Sequence, residues 1–115
     1  MKNKIIAVDF DGTLCVSAYP EIGEPRNMVI RYVLNEQDKG ARLILWTNRT
    51  GKHLEEAISW CEGQGIRFDT VNENLPEFVE MFHNDSRKVF ANEYLDDRAI
   101  TPEAAVQKMI GREIE

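Results

Sequence analysis

Lys4-Ile5-Ile6-Ala7-Val8-Asp9-Phe10-Asp11-Gly12-Thr13 is the stretch that decides the fold. The run ending at Val8 is short, continuous and rich in branched residues, the pattern of a strand buried on both faces. Arg42-Leu43-Ile44-Leu45-Trp46 repeats it, Ile66 to Val71 repeats it more weakly, and Glu93-Tyr94-Leu95 opens a very short fourth run. The intervals carry helical periodicity. Val29, Tyr32 and Val33 share a face within 26–39, and Leu54, Ala57, Ile58 and Cys61 share one within 52–63. Phe78, Val79 and Phe82 suggest a shorter helix after Pro76. Thr101-Pro102-Glu103 has the cap, first-turn proline and acid of a last helix, with Ala105, Val106, Met109 and Ile110 as its apolar face. Thr50 is the expected N-cap of the second helix, with Gly63 and Gly65 as its stop signals.

Strands alternating with helices predict an α/β fold of the three-layer, Rossmann-like kind. Its parallel sheet should have about four strands, with helices on both faces. The chain of 115 residues is long enough for one such domain, spanning 1–115, and shows no internal repeat or linker. No apolar run reaches the ~20 residues of a membrane span. Only Ile5 to Val8 follows the basic start, too short for a secretory signal, so a cytoplasmic location is expected. Lys and Arg number 14 against 20 Asp and Glu, a net charge of −6 that argues against a broad nucleic-acid-binding surface. Cys15 and Cys61 lack zinc-site spacing and read as free thiols.

Ligands of such sheets sit at the carboxyl ends of the strands. Asp9 and Asp11 follow the first run two residues apart, so an extended backbone points both carboxylates to one place. That arrangement is costly without a cation, a shared proton or a basic neighbour. The bland alternative is a hairpin through an Asp-Gly turn, pairing Ile5–Val8 with Leu14–Val16. A calcium loop counted from Asp9 fails, having Leu14 where glycine is needed and Pro20 where glutamate is needed. The second run ends in Trp46-Thr47-Asn48-Arg49-Thr50-Gly51, a polar loop suited to an anion. The fourth ends in Asp96-Asp97-Arg98, whose acids serve one site only if the strand stops near Asp96. Lys88 stands eight residues before Asp96. Together, paired carboxylates, a hydroxyl, an ammonium and a cation are the equipment for phosphoryl transfer through a carboxylate.

Asp9-Phe10-Asp11-Gly12-Thr13, Leu45-Trp46-Thr47, Lys88 and Tyr94-Leu95-Asp96-Asp97 resemble, in order, the four motifs of the haloacid dehalogenase-like superfamily. The resemblance covers residues 4 to about 110, and the first motif is its most specific part. It implies a magnesium-dependent phosphatase with Asp9 as nucleophile, forming an aspartyl-phosphate, and Asp11 as general acid and then base. Thr47, Asn48 and Lys88 would bind the phosphoryl group. Mg2+ would be held by Asp9, Asp96, the backbone carbonyl of Asp11, and Asp97 directly or through water. An Asp at position 11 favours a phosphatase over a dehalogenase within this superfamily. The segment between the first motif and Arg26 is turn and flap, too short for a cap domain. The chain therefore resembles the small capless members, and the fifth strand of larger relatives should be missing.

An uncapped site is open to a phosphorylated substrate, small or on a larger carrier, or is covered by a second copy in a homo-oligomer. Arg49, Asn72 and Asn74 are candidate substrate contacts, weighed evenly against ordinary turn chemistry. The competing functional reading is a non-catalytic phosphate-binding or phospho-receiver-like domain. Receivers also pair acids with Thr and Lys, but their acceptor Asp follows the third strand, where this chain has Asn72.

Overall fold

Branched residues dominate β1 (Ile5–Val8), and in the computed structural model, which describes residues 4–114, all four of its side chains are buried. Burial on both faces requires a central position. β1 lies between β4 (Arg42–Leu45) and the short edge strand β6 (Glu93–Leu95), with β5 (Thr70–Val71) outside β4. All three pairings are parallel, in the order β5-β4-β1-β6. The expected α/β architecture with a parallel four-stranded sheet is therefore present, though the third run contributes only two strand residues.

The pleat divides the core. Ile6 and Val8, with Leu43 and Leu45, join Val33, Ala57 and Cys61 from α1 (Asn27–Asp38) and α2 (Gly51–Gly63). Ile5, Ala7 and Ile44 point to the other face, where Leu75, Val89 and Phe78 of α3 (Pro76–Phe82) pack. Each Val, Leu or Ile side chain so buried contributes roughly 1.5–3 kcal/mol. The hairpin alternative for Asp9–Thr13 is excluded, because β2 (Cys15–Ala18) does not pair with β1. Instead β2 and β3 (Glu21–Pro25) form a separate antiparallel ribbon, the expected flap. Cys15 and Cys61 are buried free thiols.

Three details depart from the sequence reading. In α1 the buried positions are Ile30, Val33 and Glu36, whereas Tyr32 is exposed and turns its hydroxyl to Glu93. Thr50 occupies the N-cap position of α2 with no side-chain capping bond. In α4 (Pro102–Ile114) Thr101 does cap, accepting the Ala104 N–H at 3.1 Å, but Val106, Met109 and Ile110 face outward, 43–55% exposed. The physical reason lies at β6, which is the sheet edge among the described residues. With no further strand beyond it, there is little sheet surface for α4 to lie on.

Candidate active site

Every strand of the parallel sheet delivers its following residues to one rim. Asp9 leaves β1 with its N–H bonded to the Leu95 carbonyl at 2.9 Å, so the end of β1 is locked to the end of β6. β6 stops at Leu95, and Asp96 and Asp97 are off the strand. This meets the condition for both to face one site. Carboxylate oxygens of Asp9, Asp96 and Asp97 lie within 4.8 Å of one another.

Thr13, 3% exposed, ties this cluster together. Its hydroxyl accepts the Asp97 N–H at 3.0 Å and donates toward Asp9 Oδ2 at 3.2 Å, with Asp97 Oδ1 at 3.4 Å. Gly12 makes the approach of Asp97 feasible. Its φ is +86°, and a Cβ there would stand 2.4 Å from Asp97 Oδ2. Burial, followed by the neighbouring Asp96 charge, pushes the Asp9 carboxyl up to about 6. Three converging carboxylates, one strained toward its neutral form, have the donor chemistry of a hard divalent cation site.

Two adjoining cavities of about 360 and 300 Å³ share Asp9, Thr47, Asn48 and Asp96. The larger is closed by Trp46, Asn72 and Arg87, the smaller by Asp11, Ser17 of the flap, Asp97 and Arg98. Asn72, in the left-handed region at φ 56°, accepts the Thr47 N–H at 2.8 Å and so shapes the loop after β4. Thr47 Oγ1 in turn accepts the Arg49 N–H at 3.1 Å. Asp9, Asp11, Thr47, Asn48, Asn72, Asp96 and Asp97 thus all border the same depression.

Three sequence candidates lie elsewhere. Lys88 has its ammonium 6.0 Å from the Tyr94 ring centroid and lines a separate cavity with Phe78, Phe82 and Phe90. The basic side chains lining the two cavities that share Asp9 are Arg87, its neighbour, in the larger and Arg98 in the smaller. Arg87 and Lys88 both lie in a bend, and there the chain turns the Arg87 side chain to the larger Asp9 cavity and the Lys88 side chain to the separate one. Asn74, 8% exposed, is no substrate contact. It binds Asp85 Oδ1 and the Ser86 carbonyl through its amide and accepts the Phe90 N–H at 2.7 Å, anchoring the loop that carries Arg87. Asp85, held by Arg87 at 2.9 Å and by Asn74, has its carboxyl lowered to about 2.

Arg49 is the third. It is 2% exposed and cannot reach a substrate. Its Nε and Nη2 hold Asp11 Oδ2 and Oδ1 at 2.8 Å each. The same guanidinium donates to the carbonyls of Pro20, Glu21 and His53 at 3.1–3.2 Å, and lies 5.0 Å from the ring centroids of both Phe10 and Tyr19. Thr13, Arg87 and the flap's Ser17 are site residues that motif reading passed over. Thr13 belonged to the quoted stretch, whereas Arg87 carried no signal to separate it from Lys88.

No protein-family model and no curated protein matches the chain. Among solved structures it is similar to a conserved protein of Bacteroides thetaiotaomicron, with 36% identity and a TM-score of 0.75. The match covers 99% of this chain and 93% of that one. At that identity over nearly both full lengths, the chain belongs to the same family as this conserved Bacteroides protein.

Proposed function

We propose that the protein is a magnesium-dependent phosphomonoester hydrolase, a small capless member of the haloacid dehalogenase-like superfamily. The observation that carries this reading is the meeting of Asp9, Asp96 and Asp97 oxygens within 4.8 Å, at a depression that Thr47 also borders. Mg2+ fits the donor set of Asp9, Asp96 and Asp97, with the Asp11 backbone carbonyl as a further candidate. When bound it would neutralise the carboxylates and the developing phosphoryl charge.

The chain's own residues divide the work. An Asp9 carboxylate oxygen attacks phosphorus, and the bond from phosphorus to the leaving oxygen breaks as Asp11 supplies that oxygen with a proton. Asp11 then takes a proton from water, whose oxygen attacks the phosphorus of phospho-Asp9 and releases inorganic phosphate. Thr47 and Asn48 hold phosphoryl oxygens, and Arg87 takes the cationic part that the motif comparison gave to Lys88. A guanidinium fork matches two phosphoryl oxygens better than an ammonium does.

The strand order bears on the receiver-like alternative. Numbering the parallel strands along the chain, β5-β4-β1-β6 is 3-2-1-4, whereas receivers follow 2-1-3-4-5. The open rim suits a phosphate on a small or a large carrier, in a cytoplasmic setting, with a second copy as a further means of covering it. No helix among the described residues is long and apolar enough to cross a membrane. Hydrolysis of p-nitrophenyl phosphate with and without Mg2+, by the wild type and Asp9→Asn, tests the proposal. Turnover should need the metal and vanish in the variant; metal-independent turnover, or an active Asp9→Asn, would refute it.

A further inference from the structure

Arg49 is a costly residue to bury, and its partners explain why it is there. A guanidinium at 2% exposure has to satisfy all its N–H groups inside the protein. This one does so with two unrelated sets. One set is the Asp11 carboxylate, gripped through both oxygens. The other is the flap, which offers the backbone carbonyls of Pro20 and Glu21 and the Tyr19 ring. The His53 carbonyl and the Phe10 ring fasten the same group to α2 and the core. Toward its tip the flap depends on Arg49 and on the Tyr19 ring against His53. Its base is fixed, because Cys15 is buried, bridges Asp11 and accepts the Gly12 N–H at 2.9 Å, and Ile22 packs on the core, but Val16, Ser17 and Ala18 of β2 are exposed. Ser17 of that flap borders the cavity where Asp11 stands.

We infer that Arg49 is a positioning residue that couples the flap to Asp11, so that seating of the β2–β3 ribbon sets where the Asp11 carboxylate stands in the site. The inference rests on the phosphatase reading for its catalytic consequence, although the coupling itself does not. A bidentate pair fixes a carboxylate in plane and in rotation, which a point charge cannot do. When the flap lifts, Arg49 loses its flap carbonyls and one stacking ring together. The guanidinium then has two donors without protein partners and is fixed only by the His53 carbonyl, the Phe10 ring and Asp11 itself, so that the Asp11 carboxylate is held less firmly. Proton transfer depends on such placement, since a displacement near 1 Å costs on the order of 100-fold in rate. The coupling runs both ways: loosening Asp11 must loosen the flap by the same free energy.

The test combines amide hydrogen exchange of residues 15–25 in the full chain with steady-state hydrolysis of p-nitrophenyl phosphate in Mg2+. Arg49→Lys keeps the charge but not the fork, and should speed flap exchange by about 10-fold while lowering kcat by roughly 10- to 100-fold with KM changed less than about twofold. Tyr19→Ala guards against a folding defect, because Tyr19 is 59% exposed and touches neither Asp9 nor Asp11 through any bond described above. It should speed flap exchange several-fold and lower kcat by about 3- to 10-fold. Asp11→Asn should also speed flap exchange, an effect that needs no turnover to observe. Unchanged flap exchange in Asp11→Asn overturns the coupling. So does a Tyr19→Ala protein with a loosened flap and a wild-type kcat. If the wild type turns over no phosphate ester, the phosphatase reading falls, while the exchange arm still decides whether Arg49 links the flap to Asp11.

Discussion

Asp9 bears two demands that oppose each other in the protein without cation. On the proposed phosphatase reading it must be ionised to attack phosphorus, yet burial and the nearby Asp96 carboxylate push it up to about 6. Its ordinary value is 3.8. The folded state therefore holds the proton more tightly than the unfolded chain, and the sign follows from that. Its stabilising contribution is complete below pH 4 and is lost as the pH rises through 6. At pH 7.5, without divalent cation, Asp9→Asn should then be more stable than wild type by on the order of 1 kcal/mol, allowing for screening of a half-exposed group. That is about 4 °C in Tm. The advantage should shrink toward pH 4, which thermal melts in chelator across that range would show. An advantage that grew toward low pH would contradict the assignment.

At the scale of elements, the site depends on how each strand ends and on what holds the next segment. The loop between α3 and β6 owes its shape to Asn74, which spends its side chain and backbone N–H on Asp85, Ser86 and Phe90. Held in this way, the loop presents Arg87 to the Asp9 cavity and Lys88 to a separate one. A charged hydrogen bond to a phosphoryl oxygen contributes roughly 1.5–3 kcal/mol, so Arg87→Ala should lower kcat/KM for p-nitrophenyl phosphate by about 10- to 100-fold. Lys88→Ala should stay within about twofold of wild type. The reverse ranking would restore Lys88 to the site and require the loop to be turned over.

The whole molecule carries an acid excess of six, and four of its acids, Asp9, Asp11, Asp96 and Asp97, stand at one rim. Without those four the excess is two, so most of the imbalance is local. A cation bound there adds stability by mass action, about 2.7 kcal/mol at 100 times its Kd. Mg2+ should thus raise the Tm of the wild type by several degrees. Asp96→Asn should be the more stable of the two in chelator and should show little shift with Mg2+; an equal shift in both would place the ion elsewhere. The radius of gyration, 15.8 Å, exceeds the ~13 Å expected of a compact chain this long. The outward-facing side of α4 is in keeping with that excess.

The order of strands and helices, the apolar character of β1 and β4, and the position of Asp9 and Asp11 at a strand end were legible in the sequence. They depend on local periodicity and on residues only two apart. Convergence of Asp96 and Asp97 on Asp9 was legible only as a condition, because it turns on where β6 stops. What the tertiary structure alone decided were the contacts made across long stretches of chain. Lys88 and Arg87 are neighbours of like charge, and only the course of the bend they sit in, in a loop anchored by Asn74, separates their roles. Arg49 and Asn74 look like polar loop residues, and their burial comes from partners 38 and 11 residues away. The apolar stripe of α4 met the rule for a core-facing helix, but among the described residues no strand lies beyond β6, which leaves it little to cover. A sequence reports what each residue prefers to touch; whether a partner is within reach depends on the folded chain.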